Sequence, residues 1–597
     1  MLSERGNMNL FMLFFGLVFA IPLNLYPLVD FPKDFLGMTV AFIVSAWVLW
    51  KFSSKLYLSR LVILFALFCG TWLLSFAQSP VDVPNPFGQY YLIFAMLGVM
   101  LLFAIPTLVE NFGKEQTTHL LFKCLFVSGL LVAALSLLRH YGALKHVLPW
   151  VSVDGTRLIG PWGQANLTAL ILALAAISSA FFIHSVSGRK GKFALLCFAL
   201  FVYCGTLTGS RSWLFFVLIS IVVFLYIEVR GRFRKSPECE ESSREGKSYL
   251  KIFVVLVGVS LISPLLDSQI TRGLSSVGFL ERASAIEVLD SRSNLESTAR
   301  LDEWSKVISS LDASDNIWFG HGIGRYGHFS YSVDQQDSMT PHAERLWTHA
   351  HNLPLHGLVE WGVLGFFTTV ALVLYLGWRF ILSTPTLINA SVFSMIGAIF
   401  FHNLVEFSLW YFPFYALFLA LLCLVAGNFR LSVSSSWVAR LSVVLLAIVL
   451  VPTGTRAAVD YYSLTRAFNG AGYSFDDQYV VAQIKGSPLF QSAAQKVDIQ
   501  LVKPNPRAGK AQYKELGDLI LIRPEPIFVM RRAVLAILNE DDHVACDMLS
   551  RSTRSFPFLY EPSINEILYL NSVSEGLDID FFRVCLVGGL SQRSPSN

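Results

Sequence analysis

The chain carries about thirteen runs of mostly apolar residues, each near the length that crosses a bilayer as a helix. They lie near 9–29, 36–52, 60–77, 89–108, 119–138, 166–187, 193–209, 212–229, 250–266, 353–378, 387–404, 408–427 and 438–453. A crossing helix needs about 20 such residues, because lipid offers the backbone no hydrogen-bond partner. Of 597 residues, 54% are apolar and 15% charged, against about 25% charged in a soluble protein. These values exclude a disordered chain, a fibrous repeat and an ordinary cytosolic enzyme. They predict an all-α polytopic membrane protein. The first run is followed by Asn24 and Asp30 without a small-residue cleavage site, so it reads as a retained anchor. The 8 Cys are no disulfide framework, since most (Cys69, Cys124, Cys197, Cys204, Cys423) lie in apolar runs.

Basic residues in short loops set orientation. With the N-terminus cytoplasmic and the runs alternating, one side collects Lys51, Lys55, Arg60, Lys114, Arg189, Lys190, Lys192, the cluster from Arg230 to Lys247, Arg379, Arg430 and Arg440. The other side is poorer, with Lys33, Arg139, Lys145, Arg157 and Arg211 as exceptions. The predicted organisation is a transmembrane region over 1–266, a large loop over 267–352, a second transmembrane region over 353–453 and a mostly helical domain over 454–597. Loop and tail then lie outside the cytoplasm, which in a bacterium means the periplasm of the inner membrane. The basic run 230–251 is explained by topology, so no nucleic-acid-binding arrangement is expected.

A loop of this length is usually functional. It contains an amphipathic helix near 296–311, with Leu301, Trp304, Val307, Ile308 and Leu311 on one face, then "NIWFGHGIGRYGHFSYS". Gly320, Gly322 and Gly324 superficially suggest a dinucleotide loop, but that fingerprint requires a βαβ unit and a distant acidic residue. A turn-rich cap over a membrane site is the better reading. In the tail, apolar residues recur at helical spacing (Val529, Ala533, Ile537; Ile564, Ile567, Leu568) between Pro-rich joints. Cys546 and Cys585 either pair in an oxidising compartment or stay as two buried thiols.

Polar side chains at membrane depth are costly and point to function. Arg157, Gln164 and Asn166 precede or open the sixth run, and Arg211 separates the seventh and eighth. His349, His351, Asn352 and Glu360 open the tenth, and His402, Glu406 and Trp410 flank the next turn. The topology brings all of them to one mouth. Each also has a plainer reading. Arg157 can be a solvated loop charge, Gln164 and Asn166 can cap a helix, Glu406 can pair structurally with an Arg, and His402 can simply pack. Arg211 is harder to dismiss, because it sits in a very short loop against the charge bias. His349 and His351, with His342 and His356 nearby, lack the companions of a zinc set. Asn352 beside His351 suits orientation of a catalytic imidazole.

Guanidinium forks match phosphate oxygens, and an imidazole can take a proton from an attacking hydroxyl. The set therefore suits displacement of a lipid diphosphate by a hydroxyl, without nucleotide, metal or other cofactor. A lipid-linked sugar transporter is the rival from another class, but it would place polar groups near the bilayer midplane.

His351-Asn352, nine residues, then Gly362-x-x-Gly365 resembles the motif of the O-antigen ligase and polymerase (WaaL/Wzy) superfamily. "GPWGQANLTA" (Gly160–Ala169), "GSRSW" (Gly209–Trp213), "EFSLWYFPF" (Glu406–Phe414) and "PLNLYPLVDFPKDF" resemble the bacterial pilin O-oligosaccharyltransferases of the PglL type. The resemblance implies en bloc transfer of an oligosaccharide from undecaprenyl diphosphate to a Ser or Thr hydroxyl of a periplasmic protein such as pilin. It makes His351 the base, with His349 as a second candidate, and assigns the diphosphate to Arg157 and Arg211. Gln164, Asn166, Asn352, Glu360, His402, Glu406 and Trp410 would shape the substrate site. An O-antigen ligase acting on lipid A-core and an O-antigen polymerase share this donor and differ in acceptor.

Overall fold

The computed structural model describes residues 16–24, 28–77, 86–143, 157–233, 242–279, 295–310, 317–336, 347–431, 436–469, 474–487, 489–501, 509–574 and 577–591. In chain order the bundle contains α1 (Phe31–Lys51), α2 (Val62–Ala77), α3 (Pro86–Phe112), α4 (Lys114–His140), α5 (Ala165–Ser185), α6 (Gly188–Leu207), α7 (Arg211–Phe233) and α8 (Ser242–Ser276). The loop contributes α9 (Leu295–Ser309) and α10 (Tyr326–Gln336), after which α11 (Leu353–Leu382), α12 (Leu387–Val405), α13 (Phe412–Val425) and α14 (Ser436–Asn469) complete the bundle. The tail folds as α15 (Phe475–Ile484), α16 (Gln491–Leu501), α17 (Gly509–Ile522), α18 (Pro526–Ala536), α19 (Asp542–Ser555), α20 (Tyr560–Ser574) and α21 (Ile579–Ser591). Among the described residues, 10 helices are long and apolar enough to cross a membrane, while α2 and α13 are shorter apolar helices. The protein is an all-α polytopic membrane protein.

The boundaries depart from the sequence reading in three places. The run 9–29 lies partly outside the described residues, and its helical backbone ends at Ala20. Pro22 explains the stop, because a proline pushes the preceding residue into the extended region; Ile21 has φ −74° and ψ 118°. The second run starts earlier than predicted, so α1 carries Lys33 and Asp34 into the bundle, both buried. The run 438–453 falls in the N-terminal half of the 34-residue α14, which continues into the tail without a break. A short antiparallel pair, Leu56–Ser59 with Asn428–Leu431, is a small strand element within the helical fold.

α5 sits at the centre and is buried along nearly its whole length. Its small residues (Ala165, Ala169, Ala173, Ala175, Ala176, Ala180) let α4, α6 and α7 approach closely, which is how helices associate where apolar burial supplies little drive.

The loop docks on α11 through backbone. Gly362 breaks that helix with φ 67° and ψ −164°. The segment around Trp318 fills the gap: His321 N donates to Val359 O (2.8 Å), Gly322 N to Glu360 O (3.1 Å) and Val363 N to Ile317 O (2.8 Å). A Cβ on Gly362 would lie 2.3 Å from the Trp318 carbonyl, and one on Gly320 would lie 2.6 Å from the Gly362 nitrogen. Gly320 thus allows the close turn by which the loop docks, and Gly362 of the Gly-x-x-Gly element receives it.

The predicted loop helix exists as α9, with its buried face rotated. Leu301 and Ile308 are exposed, whereas Glu303 and Val307 are buried, and Trp304 Nε1 donates to Ala350 O (2.7 Å). In the tail, Val529, Ala533, Ile537, Ile564 and Ile567 are buried as expected; Leu568 is exposed and Leu570 takes its place. Cys546 and Cys585 form a disulfide between α19 and α21, with Cα atoms 5.1 Å apart.

Candidate active site

The turns at the loop end of the bundle converge on one carboxylate. Glu406 follows α12 and is 5% exposed. Its Oε1 accepts from Arg300 Nη2 (2.5 Å) and Asn166 Nδ2 (2.5 Å). Its Oε2 lies 3.1 Å from His351 Nδ1. Asn166 in turn accepts from Arg157 Nη2 through Oδ1 (3.0 Å), and Arg157 Nε donates to Thr208 O (2.7 Å). Residues remote in sequence, 157, 166, 300, 351 and 406, thus form one connected polar network.

Burial raises the proton affinity of the Glu406 carboxyl, but the His351 hydrogen bond and the charges of His351, Arg300 and His402 outweigh it and hold the pKa at about 2. An ionised carboxylate only accepts. The His351 contact is therefore a hydrogen bond when Nδ1 carries the proton, which leaves Nε2 as the acceptor. His351 also has φ 49° and is the non-glycine residue with positive φ among the described residues. Such backbone costs on the order of 1–3 kcal/mol and collects at functional sites.

His349 differs. Its ring stacks on Phe407 at 4.6 Å between centroids and meets Trp410 edge-on at 5.3 Å. Burial, with His356, His351 and Arg523 nearby, pushes its pKa well below the usual imidazole range. His351, unlike His349, has a carboxylate partner at Nδ1.

The other expected residues take several positions. Arg211 opens α7, three residues beyond Thr208; it is exposed and makes no side-chain hydrogen bond or ion pair among the described residues. Gln164 stands at the N-cap of α5 without a side-chain capping bond. Asn166 bridges Arg157 and Glu406, so neither residue caps the helix through its side chain. Asn352 does cap α11, accepting from Leu355 N (3.1 Å), and also donates to Leu404 O (3.4 Å). The expected orientation of the imidazole falls to Glu406 rather than to Asn352. Glu360 is buried, accepts from Tyr326 N (3.3 Å) and lies 3.2 Å from His356 Nε2; it joins loop to helix, outside the Glu406 network. His402 is buried beside Phe216, with ring centroids 5.9 Å apart. Among the described residues, no group of three or more His, Cys, Asp or Glu could hold a metal ion.

Sequence reasoning missed Arg300. It shares the inward face of α9 with Trp304 and Val307 at helical spacing, and a face drawn through those two residues instead of Leu301 and Ile308 exposes it.

An apolar groove of about 400 Å³ runs between α5, α6, α7 and α8 from Trp213 and Phe216 down to Glu228. Trp213 lines its upper end.

Residues 193–370 match the O-antigen ligase family model. Residues 391–561 match the model described as virulence factor membrane-bound polymerase, C-terminal. No curated protein matches the chain. The two matches support the O-antigen ligase and polymerase superfamily and a glycan-transferase role of that broad kind. They cover Arg211, Arg300, His351 and Glu406.

Proposed function

We propose that the protein is a periplasm-facing O-oligosaccharyltransferase of the inner membrane. It moves a preassembled glycan from undecaprenyl diphosphate to a Ser or Thr hydroxyl of a periplasmic protein, such as pilin. The observation that carries this reading is the Glu406 carboxylate, which gathers Arg300, Asn166 and His351 at one mouth while Asn166 holds Arg157.

In this scheme the acceptor hydroxyl oxygen bonds the anomeric carbon as the bond from that carbon to the diphosphate oxygen breaks. The electron pair leaves with the diphosphate, and the hydroxyl proton goes to His351 Nε2. Glu406 keeps the tautomer and stabilises the imidazolium. In this scheme Arg157, Arg211 and Arg300 supply the guanidinium groups that neutralise the departing charge, an electrostatic contribution that grows in a water-poor site. The groove beside Trp213 suits the polyprenyl tail. The helical tail, at the same end of the bundle as the loop through stacked Tyr331 and Phe556, suits a protein acceptor.

The match of 391–561 to a polymerase region favours a second reading, in which the acceptor is another lipid-linked glycan. Deleting the gene and examining pilin mobility and lipopolysaccharide separately tests both. Loss of pilin glycan with intact O-antigen is expected. Shortened or missing O-antigen with normally glycosylated pilin would replace the proposal with a polymerase or ligase.

A further inference from the structure

The site's two key turns, 160–166 and 406–412, do not hold each other in place by the Asn166–Glu406 bond alone. Both are fastened to the start of α1. Asp34 is 4% exposed and Lys33 is 0% exposed, an arrangement that demands partners. Asp34 Oδ1 accepts from the Phe412 backbone N (2.7 Å), and Oδ2 accepts from Tyr90 OH (2.7 Å). Lys33 Nζ donates to Asn24 Oδ1, and Asn24 Nδ2 donates to Pro161 O (2.8 Å). The same ammonium lies 4.8 Å from the Trp162 ring centre. Trp162 meets Tyr411 edge-on at 5.3 Å.

Two adjacent side chains therefore reach two turns. Lys33 holds the turn that presents Asn166, and Asp34 holds the turn that presents Glu406. The joint also touches the tail: Phe31 packs on Tyr461 at 4.9 Å and on Phe490 at 5.0 Å.

We infer that Lys33 and Asp34 are positioning residues, which set the Asn166–Glu406 contact and through it the His351 imidazole. The inference rests on the transferase reading for its catalytic consequence, although the joint itself is a matter of geometry. Neither side chain touches the reacting groups. Its removal should slow the chemical step and leave donor binding nearly intact, because misplacement by about 1 Å can cost on the order of 10²-fold.

The test uses the full chain in proteoliposomes with a polyprenyl-diphosphate-linked oligosaccharide and a protein acceptor. Asp34→Ala is expected to lower kcat roughly 10–100-fold with donor KM within about threefold of the parent. Asp34→Asn is expected to restore most of kcat, because its amide oxygen still accepts from Phe412 N and its NH2 can face the Tyr90 oxygen. Lys33→Met and Tyr90→Phe, milder changes, carry the test if Asp34→Ala does not fold. Hydrogen exchange over 406–412 should quicken in Asp34→Ala whatever reaction the protein performs. Quickened exchange in a protein that never transfers glycan upholds the joint and removes the proposed function. Parental kcat in folded Asp34→Ala and Lys33→Met, a loss confined to donor KM, or failure of Asp34→Asn to recover overturns the inference.

Discussion

Glu406 Oε2 and His351 Nδ1 lie 3.1 Å apart, and the partner oxygen of the same carboxylate holds Arg300 and Asn166. One side chain thus fixes a tautomer and anchors three other elements. Glu406→Gln replaces an acceptor-only group with an amide whose NH2 must face either the imidazole or a guanidinium. We expect kcat to fall roughly 10²–10⁴-fold, as for loss or misorientation of a general base, and His351→Ala to fall as far. The double variant should lose little more than either single one, since the two act as a unit. Steady-state transfer rates check this, and additive losses would separate the residues.

Gly362 should tolerate no side chain. Its positive φ and the Trp318 carbonyl 2.3 Å from a would-be Cβ leave no rotamer of escape. Gly362→Ala is expected to destabilise the loop–helix junction by about 1–3 kcal/mol or more, seen as a lowered melting temperature and faster proteolysis near 317–322. Gly377, in the same helix, has nothing within 4 Å of its would-be Cβ. Gly377→Ala should be neutral or slightly stabilising, and equal behaviour of the two variants would refute the account.

Acidification should weaken the cap. Burial, then the Arg325 and His321 charges, lower the His328 pKa to about 4; burial also lowers His321, and His349 is held neutral as described. An unfolded imidazole titrates near 6.5. Below that pH the unfolded chain takes up protons that the folded cap refuses, so stability is full above about 6.5 and declines as pH falls toward about 4. Thermal melting at pH 7.5 and 5 should show the decline, and His328→Gln should flatten it. A pH-independent melt would remove these groups from the account.

The disulfide joins residues 39 apart in sequence. Cys546→Ser with Cys585→Ser should cost the tail about 2–4 kcal/mol, leaving α1–α14 folded. Melting under reducing and oxidising conditions should differ in the parent and coincide in the double variant.

Much of the site was legible because its residues interrupt apolar runs. Asn166, His351 and Glu406 each stand where a helix meets its turn, Arg157 stands in the segment before α5, and alternation of the runs brings all four to one end. Arg300 was not legible in the same way. It lies on a loop helix rich in polar residues, where a guanidinium is unremarkable and Leu301 and Ile308 suggested the wrong face. The role of Asn352 was misread because adjacency along the chain says little about a neighbour's ring once the backbone turns through positive φ. The early stop at Ala20 was readable from Pro22, whereas the burial of Lys33 and Asp34 depended on partners as remote as Trp162 and Phe412.

The gap that Gly362 opens in α11 is closed by peptide groups from the segment around Trp318. A membrane helix with unclosed carbonyls is unfinished, so the bundle and its cap mature as one object. Swapping caps between related chains to exchange specificity should therefore fail unless the donor's kinked helix travels with its cap: the specificity module is not the loop but the loop and the helix it completes.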